Sequence, residues 1–416
     1  MVTSWENTTL ENITSVITKG TTPTSIGKSF TLTGINFIKI ECIDKSGQFD
    51  KSMFEHIDVE TNNILKRSQL NDGDILFSIA GALGRIAIVD ERVLPANTNQ
   101  ALAIIRLKKA SDAPNRRYVY YQLQSEKTKR IIEEINVSGA QANLSLDNIS
   151  NLIIPIPEDV KEQERIAEAL SDVDSLISSL EKLIAKKKSV KQGAMQELLT
   201  GKKRLPEFTG EWNTFIFGEL FDFIPNNAFT RAQMSDSGKV KNIHYGDILT
   251  LFGSCIDGDN NSIPYINQDI DLTRFADRCY LQSGDIIIAD TAEDETVGKA
   301  LEIYHVNCPI LAGQHTLLCR PKIKFADKFL GYYLNAACYH DQLLPFIVGT
   351  KVSSISKSSV AQTKLIAPDV EEQTAIASIL SDMDNEIKAL EQKLEKTRQI
   401  KQGMMQQLLT GKIRLV

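Results

Sequence analysis

The sequence predicts an α+β protein: two globular, strand-rich domains separated by two long helices that pair as an antiparallel coiled coil, the halves being pseudo-two-fold symmetric. Three observations predict it. A helical segment occurs twice, at 159–205 and 369–415, aligning without a gap at an offset of 210 with 26 of 47 positions identical. Apolar residues in both copies alternate at spacings of four and three, a mean period of 3.5. The segments between the copies carry short apolar runs bounded by turn residues. The chain therefore reads as domain 1–158, helical arm 159–205, domain 206–368 and helical arm 369–416.

The first domain shows strand patterns at FIKIECI, DILFSI, IAIV and ALAIIRL, then a short helix around 115–135. The first arm follows Pro157, with its seam at Ile166, Leu170, Val173, Ile177, Leu180 and Ile184. The seam meets Lys187 and is expected to resume in a shifted register at Val190, Ala194 and Leu198. Thr200-Gly201 ends the helix. The second domain repeats the plan with DIIIAD, ALEIYHV, HTLLCRP and a helix around 325–342. The second arm follows Pro368, with its seam at Ile376, Leu380, Met383, Ile387, Leu390 and Leu394. It meets Thr397, and Ile400, Met404 and Leu408 lie beyond. If the seams pair, the second arm must run back, and the C-terminus returns to the first domain. A plain spacer or oligomerisation arm is the bland alternative.

The two domains correspond weakly: Trp5 with Trp212, Gly73–Phe77 with Gly284–Ile288, Gly84-Arg85 with Gly298-Lys299, Gln100 with Gln314, and Val137-Ser138-Gly139 with Val348-Gly349-Thr350. Net charge is −6, distributed as −1, +2, −6 and −1 over the four segments. This argues against a free-standing, non-specific nucleic-acid binder, which would be basic. Six scattered cysteines without C-x-x-C spacing fit buried thiols in a reducing cytosol. The start lacks the regions of a signal peptide, and no apolar run spans a bilayer, so a cytoplasmic location is expected.

The arms repeat EQ-x-x-IA-x-x-LSD-x-D at 162–174 and 372–384, and KQG-x-MQ-x-LLTGK-x-RL at 191–205 and 401–415. With the GDILFSIAGALGRIAIV stretch at 73–89, the whole chain resembles the specificity subunit of a type I restriction-modification system. That resemblance implies a non-catalytic subunit whose globular domains are target recognition domains, each reading half of a split DNA site. It implies arms that set the distance between half-sites and hold two copies of a modification methyltransferase subunit. It further implies restriction (motor-nuclease) subunits. S-adenosylmethionine and ATP with magnesium would belong to those partners, and this chain would bind no cofactor or metal of its own.

The residues agree that intrinsic chemistry is missing. Gly27-Lys28-Ser29 imitates the end of a phosphate loop, but position 22 is Thr where a glycine is needed. No N/D-P-P-F/Y run holds an exocyclic amine. Pro368-Asp369 with Glu386-Ile387-Lys388 imitates a nuclease pattern, yet Glu386 and Lys388 sit on a heptad helix. Asp172/Asp174 and Asp382/Asp384 recur, but i, i+2 positions on a helix do not face one point, so solvated faces or partner contacts are expected. The five histidines have no ligand spacing.

Base reading needs paired donors and acceptors on loops carried by a rigid domain. Candidates in the first domain are Lys28, Ser78, Arg85, Asn97, Asn99, Gln100, Gln141 and Asn143. In the second they are Arg231, Lys299, Gln314, His315, Lys351, Ser353 and Ser354. The second domain's 289–299 loop is acidic at Glu293, Asp294 and Glu295, which would repel phosphate unless a carboxylate accepts from cytosine N4. For each residue, ordinary surface or turn duty is the competing explanation. Lys186-Lys187-Lys188, present in one arm only, reads as a solvated face. Gln163/Gln373, Gln192/Gln402 and Gln196/Gln406 recur and imply two similar partner surfaces. KQG-x-M-Q-x-LLTGK is the expected meeting place of arm, partner and opposite domain. The alternative function is a coiled-coil protein adaptor that binds no DNA.

Overall fold

The computed structural model describes residues 5–109, 113–137, 143–294, 296–349 and 351–415. Its chain forms two compact units, Met1–Glu181 with Lys393–Val416, and Lys182–Gln392. Each unit thus contains one globular head and half of each arm.

Head 1 is built on an antiparallel sheet ordered Thr14–Lys19, Leu102–Leu107, Ile75–Ser78 and Ile86–Ile88. Ile75, Leu76 and Phe77 are fully buried, which explains why that strand reads as an unbroken apolar run rather than an alternation. A second sheet sets Ile35–Ile38 antiparallel to Glu55–Ile57 and parallel to Ala96–Thr98. Trp5–Thr9 pairs with Ile153–Pro157 and so ties the start of the head to its end. Two helices, Arg116–Leu123 and Glu126–Val137, complete it. Of the FIKIECI run only Phe37 and Ile38 are strand. It turns into a 3-10 helix at Ile40–Cys42, because the Arg85 guanidinium takes the carbonyls of Ile43 (2.9 Å) and Ile40 (3.4 Å).

Head 2 repeats the plan with additions. Its main sheet is ordered Phe221–Ile224, Thr316–Pro321, Ile286–Ala289, Ala300–Tyr304 and Cys255–Asp257, the last pair parallel. Lys241–Ile243 runs parallel to Ile310–Ala312, matching the parallel pair of head 1. Asn213–Ile216 pairs with Lys364–Ala367. Its helices include Tyr245–Thr250, Phe329–Leu334 and Ala337–His340.

The arms are single helices, Val160–Leu198 and Val370–Leu408. Every seam residue is buried or half-buried. Pairing is antiparallel in each unit, since partner numbers fall as one helix is followed forward. In unit 1, Glu162 meets Arg414, Asp174 meets Lys401, and Glu181 meets Arg398. In unit 2, Lys187 meets Glu386, Lys191 meets Asp384, and Arg204 meets Glu372.

Two expectations are corrected here. The seam does not shift register: Val190 and Ile400 are about half exposed, at 49% each. The four-three spacing continues through Lys187, Lys191, Ala194 and Leu198, and through Thr397, Lys401, Met404 and Leu408. Polar residues occupy two steps of it, satisfied by ion pairs or, for Thr397, by its hydroxyl donating to the Lys393 carbonyl. Nor is the triple lysine merely solvated. Lys187 and Lys188 reach Glu386 and Glu391 at 2.6 and 2.7 Å.

Candidate nucleic-acid interface

Each head carries the same backbone frame at the mouth of its main sheet. In head 1 the Ile79 amide donates to the Ala101 carbonyl, and the Leu144 amide donates to the Ile79 carbonyl, both at 2.9 Å. In head 2 the Asp290 amide donates to His315 O (3.1 Å), and the Ile355 amide donates to Asp290 O (2.9 Å). Ala80 bridges Asn143, as Thr291 pairs with Ser354. Behind each frame lies a buried ion pair, Asp74 with Arg106 and Asp285 with Arg320, both at 2.7 Å. Burial pushes the Asp285 carboxyl up, opposed by the guanidinium of Arg320. The frame joins three segments distant in sequence, so side chains beside it are held rigidly.

The frame sorts the candidate residues. Ser78 and Asn97 are fully buried. The Ser78 hydroxyl donates to Ala82 O and accepts from the Arg85 amide. Asn97 donates to Asn62 and to Leu65 O. Both belong to the interior. Arg85 spends its guanidinium on carbonyls, as above. Lys299 donates to the carbonyls of Leu249 and Phe252, at the C-terminal end of the helix Tyr245–Thr250, where a cation is favourable; burial lowers its pKa. These four are structural in this conformation. Lys28 is paired with Glu60 at 2.7 Å. Asn99 is half-buried and accepts from the Ala101 amide. Gln141 lies outside the described residues, as does Glu295.

What remains clusters by head. In head 1, exposed Gln100 accepts from the Thr22 hydroxyl at 2.6 Å, and Asn143 is exposed at its bridge. Head 2 is richer. Exposed His315 stands 5.3 Å, edge to face, from Tyr245, and Gln314 lies 3.3 Å from its Nε2. Arg231 pairs with the buried Asp247 at 2.7 Å while its side chain stays 55% exposed. Burial pushes the neighbouring His244 down, and the Arg231 charge adds to that. Val348 and Ser354 close a hairpin that carries exposed Lys351 and sets Ser353 and Ser354 against Thr291 and Ala292. Sequence reading missed Thr22, Tyr245, Asp290 and Thr291. Tyr245 has no counterpart in head 1 to mark it, whereas Asp290 was visible as the polar end of an apolar strand.

The arms lock onto each head through duplicated contacts. The Tyr121 hydroxyl donates to Asp174, which Lys401 also binds; Tyr332, Asp384 and Lys191 repeat the arrangement. Burial and the carboxylate hold both phenols well above their ordinary range. The repeated Asp172/Asp174 motif is thereby divided: Asp174 faces the head and Asp172 faces solvent. Gln163 and Gln373 are internal, donating to Pro157 O and Pro368 O. Gln192, Gln196, Gln402 and Gln406 are exposed. In unit 1 the arm tail meets the head directly, Gln122 donating to Leu409 O. A cavity of about 790 Å³ lies beside that contact, lined by Arg85, Lys129, Lys401, Gln402 and Gln406 among others. Gly201 and Gly411, with φ of 67° and 69°, end the helices against Trp212 and Trp5. Arg204 and Arg414 lie over those same indoles.

Two unlike reading surfaces on a shared frame, joined by duplicated arms, define a two-headed recognition subunit. The chain belongs to the type I restriction modification DNA specificity domain family, whose pattern matches twice, at residues 3–192 and 209–401. Similar proteins include the type I restriction enzyme MjaVIII specificity subunit of Methanocaldococcus jannaschii, 25% identical over 364 residues covering 83% of this chain and 80% of that one. The putative MjaX specificity subunit of the same organism is 25% identical over 430 residues, covering 99% and 94%. Among solved structures, the S subunit of a type I restriction-modification system from M. genitalium superposes with a TM-score of 0.58, at 15% identity, over 98% of this chain and 96% of that one. At that identity the likeness is one of fold.

Proposed function

We propose that this chain is the sequence-reading subunit of a type I restriction-modification complex and has no catalysis of its own. Each head reads one half of a bipartite, asymmetric DNA site. The arms fix the spacing and dock two copies of a modification methyltransferase subunit, which restriction subunits join, in the cytoplasm. S-adenosylmethionine and ATP with magnesium would be held by those partners. The observation that carries the reading is the pairing of one conserved frame with divergent exposed side chains in the two heads, alongside arms whose exposed glutamines are duplicated. A chain that varies where it reads and repeats where it docks needs unlike DNA half-sites and like protein partners.

The test is to reconstitute the chain with its modification partner and map methylated adenines. An asymmetric, two-part motif is expected, with DNA binding that falls steeply with salt. Replacing residues 206–368 with another such head should change one half-site alone. Inserting four residues into both arms lengthens each by about 6 Å, and the unread spacer should grow by about one or two base pairs at 3.4 Å each. A continuous motif, or two half-sites changing together, overturns the reading. An adaptor that binds only protein would show no salt-dependent DNA affinity.

A further inference from the structure

The frames of the two heads differ at two matched positions. Head 1 places Ile79 and Ala101 where head 2 places Asp290 and His315, with the same backbone hydrogen bonds in both. Ile79 is buried, so the frame is complete with apolar side chains and does not need the acid or the imidazole. Head 2 nevertheless bears costs to carry them. His315 adopts φ 54°, a left-handed conformation that Ala101 does not share, and strain of this kind concentrates at functional sites. The Asp290 side chain is only 25% exposed. The Thr291 hydroxyl donates to its Oδ1 at 2.8 Å, and His315 Nδ1 lies 3.6 Å from that atom. Its Oδ2 has no hydrogen-bond partner among the described residues, so a held carboxylate keeps one acceptor unspent.

A carboxylate at a DNA-facing surface has few compatible partners. Phosphates, guanine N7 and O6, and thymine O4 are all acceptors and repel it. The donors in the major groove are exocyclic amino groups, cytosine N4 and adenine N6. Resting on the DNA-reading function proposed above, we infer that Asp290, oriented by Thr291 and His315, is a specificity determinant of head 2 that demands an amino-bearing base at one position of its half-site. His315 acts as a positioning residue, and its left-handed backbone aims the ring at the carboxylate. Head 1 has no such requirement at the equivalent place, since Ile79 and Ala101 accept nothing.

The test uses the reconstituted complex with Asp290→Ala, Asp290→Asn and His315→Ala, read by methylation mapping and by competition with duplex oligonucleotides. The wild-type motif is expected to fix one base pair of the head 2 half-site through the exocyclic amino group of its cytosine or adenine. Discrimination there should fall by about 5- to 150-fold in Asp290→Ala, the range for losing one good base contact. All other positions, and the head 1 half-site, should keep their sequence. Duplexes in which that pair carries 2-pyrimidinone for its cytosine, or purine for its adenine, remove the amino group alone. That substitution should weaken binding by wild type but not by Asp290→Ala. Asp290→Asn keeps the shape of the side chain and controls for misfolding. An unchanged motif in Asp290→Ala overturns the inference while leaving DNA reading intact, as does wild-type binding that tolerates loss of the amino group at that pair. Absence of salt-dependent DNA binding by the wild-type complex sinks both.

Discussion

Head 1 and head 2 solve the same structural problem with different residues at three matched places. Ile79, Ala101 and Ile88 in the first stand where Asp290, His315 and Glu302 stand in the second. The Asp74–Arg106 and Asp285–Arg320 pairs, the Trp–Gly–Arg closures and the Tyr–Asp–Lys locks stay the same. What is held constant is the wiring that joins distant segments. What varies is the side chains the wiring presents. Glu302 shows that variation reaches the interior as well. It is 1% exposed and caps the start of Phe329–Leu334, accepting from the amides of Gly331 at 2.7 Å and Lys328. Burial outweighs those donors and pushes its carboxyl up to about 7.

The largest expected effect tests whether the two units are energetically equivalent. Leu170 and Leu380 are both fully buried at matching seam positions. Leu170→Ala and Leu380→Ala should each cost about 2–5 kcal/mol, the range for a buried leucine. Hydrogen exchange should place the loss in unit 1 for the former and unit 2 for the latter. Losses confined to one unit for both variants would break the equivalence.

Next in size is a pH effect that separates the heads. Because folding raises the Glu302 pKa from 4.5 to about 7, the folded state holds a proton that the unfolded chain has released. Head 2 is therefore most stable below about pH 4.5 as far as this group is concerned, and it loses stability as pH rises to about 7. The span corresponds to about 3 kcal/mol. Glu302→Gln should flatten that segment of the stability profile in head 2, followed by hydrogen exchange. Head 1, with Ile88 in the same place, should show no such segment. An unchanged slope in Glu302→Gln would assign it to another group.

The smallest effect concerns the arms, where the halves should behave alike. Gly193 and Gly403 sit in helix interiors with nothing within 4 Å of an added Cβ. Nothing inside the chain requires glycine there, so Gly193→Ala and Gly403→Ala should each stabilise by about 1 kcal/mol. On the docking proposed above, a partner whose backbone approaches closely beside the exposed glutamines would account for both glycines. Gly193→Leu and Gly403→Leu should each remove one copy of the modification partner, counted by mass of the assembled complex. Full assembly of the double leucine variant would place docking elsewhere.

The duplicated helices and the strands of the main sheets were legible because periodicity is written directly in apolar residues: every seam position named ahead of Lys187 and Thr397 is buried or half-buried. The register beyond Lys187 and Thr397 was misread because polar residues can occupy a seam when an opposite charge reaches them, and a partner about two hundred residues away is invisible in a local pattern. Ser78, Arg85, Asn97 and Lys299 read as candidates in the sequence because donors near glycine-rich turns look alike whether they serve backbone carbonyls or a ligand. The carbonyls of Ala82, Ile43, Leu65 and Phe252 show where those donors are spent. His315 was recognised through its neighbour Gln314. The acid beside it was not, since its significance lies in a hydrogen-bonded frame rather than in sequence spacing.

The way unit 1 is assembled also orders its birth. Leu408, Leu409 and Arg414, which finish its core and cover Trp5, leave the ribosome after all of residues 182–392, which form an uninterrupted stretch. Head 2 can thus mature during translation before head 1, which waits for residues 408–414. A polypeptide terminated between residues 392 and 408 would carry one finished sensor and one incomplete one, a built-in check that such a chain does not read both halves of a target.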